Sequence, residues 1–417
     1  LFRSSAPLQT RSARDGSKFD LLAVSYGRQH RYVDGNGLQR LAVAINPAFG
    51  RALGATVSET ALAKDGLVFW LRRREPGANG AATSSAYLRA VAFDEHGCEY
   101  RQSSGISFPQ APGLVTTHSV TLAAFPRRAK TVGLRLQRES GAPTPVVEFV
   151  IPNPARGPFP RWQPEPLPAT RRAGGVEFTL AEFSTGVKTP SYPNRADWTG
   201  VTLRCTRNGR PTRDWAENQI QLEDATGNRL DFDSWATEDT AGGQRILFGA
   251  VQPLKGPALC PLEPAWKVRV TWARVGVGAF APSELWTVRR VPVPRGKALV
   301  PCIRAATLRG TRMVLEGTVP AHVVPPHSLW GGWDSPTVRM STSPIDLNVR
   351  IDLVRAVDDR GREVKTLGGG TSTDGINRSH LFAVEPAAGA RTMDLTFALQ
   401  RPRVTEFIAR PGRSPGK

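Results

Sequence analysis

Toward the end of the chain Met393, Leu395, Phe397 and Leu399 alternate with Asp394, Thr396, Ala398 and Gln400. This is the two-residue period of a half-buried strand. The phrase has two relatives upstream. Val132, Leu134 and Leu136 run to Arg138 and are followed by Glu148-Phe149, while Val268, Val270 and Trp272 run to Arg274 and are followed by Glu284-Leu285. In the last copy Arg401 is followed by Glu406-Phe407. Each copy predicts a closing pair of strands.

Two further features precede each closing phrase. Gly16 is followed by Phe19 and Leu21, Gly175 by Phe178 and Leu180, and Gly310 by Met313 and Leu315; Leu8, Leu167 and Cys302 lie at matched positions upstream. This predicts an opening strand fed by a glycine turn. Between opening and closing, Leu88, Ala90 and Ala92 lead into Asp94-x-x-Gly97, Ile220 and Leu222 into Asp224-x-x-Gly227, and Leu353 and Val357 into Asp358-x-x-Gly361. Asp-x-x-Gly between strand-like runs predicts a hairpin in which the carboxylate closes a type I turn and the glycine takes positive φ. None of the three has the alternating acids and terminal Glu of an EF-hand loop.

Opening strand, hairpin and closing pair recur three times in one order, and helical patterning is nearly absent. The expected fold is therefore all-β: a tandem array of three antiparallel β-sandwich domains, immunoglobulin-like in the broad sense. The Cys…Trp…Cys signature of antibody domains is missing. The expected divisions are residues 1–153 for the first sandwich, 154–166 for a Pro-rich linker, 167–292 for the second sandwich, 293–411 for the third, and 412–417 for a mobile tail. The linker's prolines favour extended polyproline II, a semi-rigid spacer unless Phe159 and Trp162 pack it onto a domain.

The abundance of Gly (40) and Pro (35) among 417 residues suits many short strands joined by turns. The net charge of +19 invites a nucleic-acid reading, but the cations are spread over all three units, without a long basic run or basic helix. Nucleic acid is not the expected partner; an acidic polysaccharide, anionic headgroups or an acidic protein face suits a dispersed basic surface better. No run of eighteen apolar residues is present, so membrane attachment is expected only through a missing amino-terminal segment. A removed signal or anchor would account for Leu1 as the first residue, which gives the expectation of an extracytoplasmic (periplasmic or cell-surface) protein. Cys98, Cys205, Cys260 and Cys302 contain no CxxC, which excludes a Cys₄ zinc ribbon. Only the second unit holds two, so a Cys205–Cys260 bridge is a candidate there beside the reading of unpaired thiols, and Cys302 replaces the leucine of the opening phrase as a core residue.

No phosphate loop, nucleophile elbow or His-Glu-x-x-His motif occurs, and the six histidines are scattered. A non-catalytic chain without a cofactor is expected. Asp231 and Asp233 share one face if their stretch is extended. They are candidates for Ca²⁺, or more distantly for the carboxylate pair of a glycosidase, against the plainer reading of a solvated acidic loop. His322 and His327 flank Pro325-Pro326 in what reads as a surface loop. Trp330-Gly-Gly-Trp333 is the candidate binding loop: two indoles on a flexible turn can stack on a sugar or anchor a protein, or else plug the end of a sandwich. The leading functional expectation is a structural subunit, spacer or protein-binding module of a surface or envelope assembly, whose partner is another protein or another copy of the chain. The alternative is a carbohydrate-binding accessory protein using Trp330 and Trp333.

Overall fold

The computed structural model describes residues 7–74, 86–108, 115–138, 145–155, 157–187, 198–230, 234–240, 243–249, 259–260, 262–294, 299–320, 335–346, 348–373 and 377–413. The fold is all-β and built from several antiparallel sheets. Residues of the first opening and closing phrases lie in two four-stranded sheets. One has the spatial order Gln9–Ser12, Lys18–Asp34, Thr56–Arg74, Val115–Leu122, and the other Glu99–Phe108, Ala86–Phe93, Thr131–Arg138, Pro145–Pro152. A third sheet runs Ser234–Thr240, Gly243–Gly249, Trp198–Arg207, Val176–Val187, and a fourth Arg229–Leu230, Trp215–Asp224, Trp266–Arg274, Arg403–Ala409. The last two are Leu285–Pro292, Thr392–Gln400, Arg350–Asp358 and the five-stranded Val300–Leu308, Thr311–Val319, Thr337–Ser343, Arg378–Glu385, Lys365–Thr373. These last two sheets face each other across one core, in which Met313, Leu315 and Met340 of one meet Ile351, Leu395 and Phe397 of the other.

The three opening glycines sit where the sequence predicts. Pairs Ser12↔Lys18, Ala173↔Val176 and Leu308↔Thr311 flank Gly16, Gly175 and Gly310, whose φ values are 83°, 75° and 81°. In the second and third copies both turn residues are left-handed, Gly174 (57°) with Gly175 and Arg309 (48°) with Gly310. That is the two-residue turn whose twist matches the flanking strands. Beyond it Phe19, Leu21, Phe178, Leu180, Met313 and Leu315 are all fully buried. Gly97, Gly227 and Gly361 likewise have positive φ (78°, 90° and 75°).

The strands entering the central turns keep the predicted phase twice. Leu88, Ala90, Ala92, Ile220 and Leu222 are buried. In the third copy Leu353 and Val357 are only half-buried, and Ile351 and Ala356 are buried instead. A bulge between Leu353 and Arg355 inserts a residue and moves the inward face by one position.

The closing strands lie side by side as a hairpin in the first copy, Thr131–Arg138 with Pro145–Pro152. In the later copies they do not. Leu285–Pro292, which follows Trp266–Arg274 in sequence, pairs with Thr392–Gln400, and Arg403–Ala409, which follows Thr392–Gln400, stands beside Trp266–Arg274. The chain forms two compact units, Leu1–Arg204 with Gln221–Arg269 and Glu406–Lys417 in one, and Cys205–Ile220 with Val270–Thr405 in the other. Residues 406–411, expected in the last domain, thus belong to the first unit.

The Pro-rich segment also lies in the first unit, and it takes the packed alternative. Phe159 and Trp162 are half-buried, with Arg128 over the Phe159 ring at 5.9 Å and Lys267 over Trp162 at 4.9 Å. Glu165 is tied through its N–H to the Ile408 carbonyl and through its carboxylate to the Ile408 N–H, each at 2.8 Å. Of the tail expected to be mobile from 412, Gly412 and Arg413 pair in parallel with Ser184 and Thr185, and 414–417 lie outside the described residues. Backbone hydrogen bonding, available at an open strand edge, fixes what has no apolar pattern to fix it.

One element was not visible in the strand periodicity. Between Lys18–Asp34 and Thr56–Arg74 the chain makes two helices, α1 (Gly37–Ile45) and α2 (Pro47–Ala52). The two long strands fold back on their own sheet after Gly27, whose φ is 134°. Tyr32 stacks on Trp70 at 5.3 Å, and Arg72 donates to both oxygens of Asp34.

Gly97 and Gly361 have open space where a Cβ would point, so substitution there tests the backbone alone. Gly97→Ala and Gly361→Ala are each expected to lower the unfolding free energy by about 1–2 kcal/mol, the left-handed penalty of an L-residue, measured by urea denaturation.

Candidate functional site

The three Asp-x-x-Gly turns share one hydrogen-bond design. The Asp N–H donates to the carbonyl four residues on: Asp94 to Cys98 at 3.2 Å, Asp224 to Asn228 at 3.0 Å, Asp358 to Arg362 at 2.9 Å. The Asp carbonyl accepts from the glycine N–H. One carboxylate oxygen accepts two backbone N–H groups from inside the turn: His96 and Cys98 on Asp94, Thr226 and Asn228 on Asp224, Arg360 and Arg362 on Asp358, all at 2.8–3.0 Å. All three aspartates are buried. A buried carboxylate is tolerated because these donors replace its water.

The second oxygen differs in each copy. On Asp358 it accepts from Arg362 Nε at 2.9 Å. On Asp94 it has no hydrogen-bond partner among the described residues. On Asp224 it accepts from Asn228 Nδ2 at 2.8 Å and from the Tyr100 hydroxyl at 3.3 Å. Around Asp224 a dense polar node follows. The Asn228 side chain spans the backbone of Phe125, accepting its N–H and donating to its carbonyl. Arg127 donates to Asn228 Oδ1, to the Thr226 carbonyl and to the Asp65 carbonyl. Arg128 donates to Glu263 at 2.7 Å and to the Phe159 and Pro160 carbonyls. Burial pushes the Tyr100 phenol well above its ordinary value, and the Asp224 and Glu263 carboxylates push the same way. Burial also raises Glu263, against the pull of Arg128.

The disulfide lies in the same neighbourhood, and it takes Cys260 away from the Cys205–Cys260 candidate. Cys98, directly after the first central glycine, is joined to Cys260, with a Cα–Cα distance of 5.2 Å. Cys205 is a half-exposed free thiol, and Cys302 is a buried one packed in the core as expected. Asp94, Cys98 and Cys260 bring candidate metal-ligand atoms within 4.8 Å of one another. With the sulfurs bonded to each other only one carboxylate oxygen is left to bind, short of the four ligands of a structural zinc.

Two histidines among the described residues are buried. His30 is buried with Ser25 Oγ at 2.7 Å from Nδ1 and the Gly27 carbonyl at 2.9 Å from Nε2. His380 is buried and stacked on Phe382, with Thr342 Oγ1 3.1 Å from Nε2. Burial, with Arg378 adding, lowers it to about 4. In the second unit Glu284 accepts both arms of Arg274 at 2.8 Å, the Ala281 N–H and Arg309, and is held at about 2 chiefly by the Arg274 bonds.

The acids missed in sequence are those just after the turn aspartate. Glu95 accepts the N–H groups of Lys130 and Thr131 and the Thr131 hydroxyl, and Asp359 accepts the Arg391 N–H. Each fastens the central turn to the start of a closing strand; an acid after the turn Asp was the available signal. The nominated Trp330 and Trp333, like Asp231 and Asp233 and the loop of His322 and His327, fall outside the described residues.

Most of the polar groups in these clusters are spent on hydrogen bonds within the chain, the second oxygens of Asp94 and Glu263 being the exceptions among these carboxylates in the described residues. No family model matches the chain, and no curated protein matches it in sequence.

Three measurements probe these side chains. The disulfide closes a sequence separation of 162. Reduction or Cys98→Ser is expected to lower stability by about 2–5 kcal/mol, read as a shifted denaturation midpoint. Non-reducing peptide mapping should show the Cys98–Cys260 pair. His380 titrates at about 4 folded against 6.5 ordinarily. The unfolded chain therefore binds a proton the folded chain refuses, so stability present above pH 6.5 falls as pH drops toward 4. The loss from this group is at most about 3 kcal/mol. In His380→Gln the dependence of the unfolding free energy on pH across that window should flatten.

Proposed function

We infer that the chain is a non-catalytic, extracytoplasmic array of three immunoglobulin-like β-sandwich modules that serves as a structural subunit, spacer or protein-binding module in a surface or envelope assembly. The observation that carries this reading is the use to which the buried charges are put. Asp94, Asp224, Asp358, Glu263 and Glu284 are each engaged in closing a turn or fixing neighbouring chain. Three modules are supported by the threefold recurrence of a glycine-turned opening hairpin and a caged Asp-x-x-Gly turn, each with its own closing strand. An oxidising compartment is supported by the Cys98–Cys260 bridge, since such bonds persist outside the reducing cytosol. The alternative of glycan binding through Trp330 and Trp333 draws its support from the sequence alone.

The test is purification of the full chain under native conditions, with analytical ultracentrifugation and mass spectrometry of co-purifying proteins, beside a glycan array and a broad glycosidase and esterase screen. Self-association or a stoichiometric protein partner is the expected result, with no turnover. Turnover abolished by Asp231→Asn or Asp233→Asn overturns the non-catalytic reading. Glycan binding lost in Trp330→Ala/Trp333→Ala, without a protein partner, replaces it with the carbohydrate-binding one.

A further inference from the structure

α1 and α2 carry their apolar residues in an inverted arrangement. The small ones, Ala42, Val43 and Gly50, are buried, whereas Leu38 (70% exposed), Leu41, Ile45 (76%), Phe49 and Leu53 face solvent. Leu38, Leu41 and Ile45 follow the i, i+3, i+7 spacing of one helix face, so these three form a stripe, and Phe49 and Leu53 add exposed apolar surface on and after α2; such surface marks an interaction site. The helices hold one another rigidly. Asn46 caps α2 with its side chain and ends α1 with its N–H. A Cβ on Gly50 would meet Val43, so the close approach requires glycine at that position.

The polar groups of the pair are turned inward onto its own backbone. Asn36 and Gln39 form a reciprocal capping box, Gln39 Nε2 donates to the Leu53 carbonyl at 2.7 Å, and Asn46 Oδ1 accepts the Ala48 and Phe49 N–H groups. The stripe therefore has few hydrogen-bonding groups to offer across an interface, where a protein partner ordinarily finds one per about 100–200 Å². Five side chains are also few against the roughly 800 Å² per partner of a stable protein complex. Charge narrows the choice again. Between Asp34 and Glu59 the charged residues are Arg40 and Arg51, and the chain carries +19 overall. A second copy would bring cations against cations.

We propose that the α1–α2 pair is a lipid-surface anchor: its exposed Leu38, Leu41, Ile45, Phe49 and Leu53 side chains enter the interfacial region of an anionic bilayer while the exposed Arg51 meets the headgroups. A fluid apolar phase needs no directional partner, and an anionic rim suits a patch that carries the exposed Arg51 and no carboxylate between Asp34 and Glu59. The inference goes beyond the assembly role and does not depend on it.

Co-sedimentation of the full chain with large vesicles tests it. Binding is expected with mixed phosphatidylcholine–phosphatidylglycerol vesicles, weaker with phosphatidylcholine alone, and reduced by salt. Leu38→Ser/Ile45→Ser should lower the partition coefficient at least about tenfold, given the apolar area removed, with an unchanged circular dichroism spectrum. The single variants Leu38→Gln and Ile45→Gln, on side chains mostly in water, each give a smaller loss should the double variant misfold. Absence of binding by the wild-type chain, equal binding by the variants, or indifference to anionic lipid overturns the proposal. So does a dimer or a protein complex that depends on Leu38 and Ile45 while vesicles are ignored.

Discussion

A carboxylate accepting two N–H groups of its own turn is the interaction on which the arrangement of this chain depends. It appears at Asp94, Asp224 and Asp358 with the same donors counted from the aspartate. A free carboxylate could not be buried at these positions without a cost of several kcal/mol. Once paired it becomes a rigid corner, and the strands leading to it enter the core in fixed phase. One oxygen is committed to that corner, which leaves the other for local use. That freedom explains how one turn supports three surroundings: a bond to Arg362 in one, the Tyr100–Asn228 node in another, and an unbonded oxygen near the disulfide in the third.

The node around Asp224 shows how the first unit is made larger than one sequence repeat. Asn228 reads the Phe125 backbone as a strand would, with one donor and one acceptor, although it is a side chain more than a hundred residues away. Arg127 and Arg128 then satisfy carbonyls of segments that have no ladder of their own. The Cys98–Cys260 bridge adds a covalent constraint to the same region. Closing a loop over so long a separation removes conformational entropy from the unfolded chain, which is why the bridge stabilises what hydrogen bonds position.

Local phase was legible in the sequence, and partners were not. Gly16, Gly175 and Gly310 fixed the opening turns because glycine alone accepts that backbone cheaply, and Phe19, Phe178 and Met313 followed as core. Leu353 and Val357 failed because a bulge is a geometric event between strands with no obligatory residue. The closing strands were recognised as strands, yet period two says nothing about which neighbour a strand chooses. Hence Leu285–Pro292 beside Thr392–Gln400 was not foreseen. Cys98 was not visible as the partner of Cys260 because the two lie in different repeats, 162 residues apart. The helical pair was missed for a different reason. Asn36-x-x-Gln39, the Leu38-Leu41-Ile45 spacing and Asn46-Pro47 were all readable signals, but one nine-residue and one six-residue helix are short beside a strand pattern spanning the chain.

The arginine content takes on a different meaning in this light. Arg128 alone serves a carboxylate, two carbonyls and the face of Phe159. Arg274 couples a bidentate carboxylate with the Phe280 ring, and Arg135 joins Glu148 and Glu99 while lying over Phe93. A lysine could not do this, because its donors converge on one point and its ammonium is held more strongly by water. Much of the basic character is thus built into strand and turn junctions, where a planar fork satisfies several acceptors at once. A net charge of +19 describes how such a protein is held together as well as what it attracts, and the charges most relevant to a partner are those left exposed beside apolar surface, as Arg51 is.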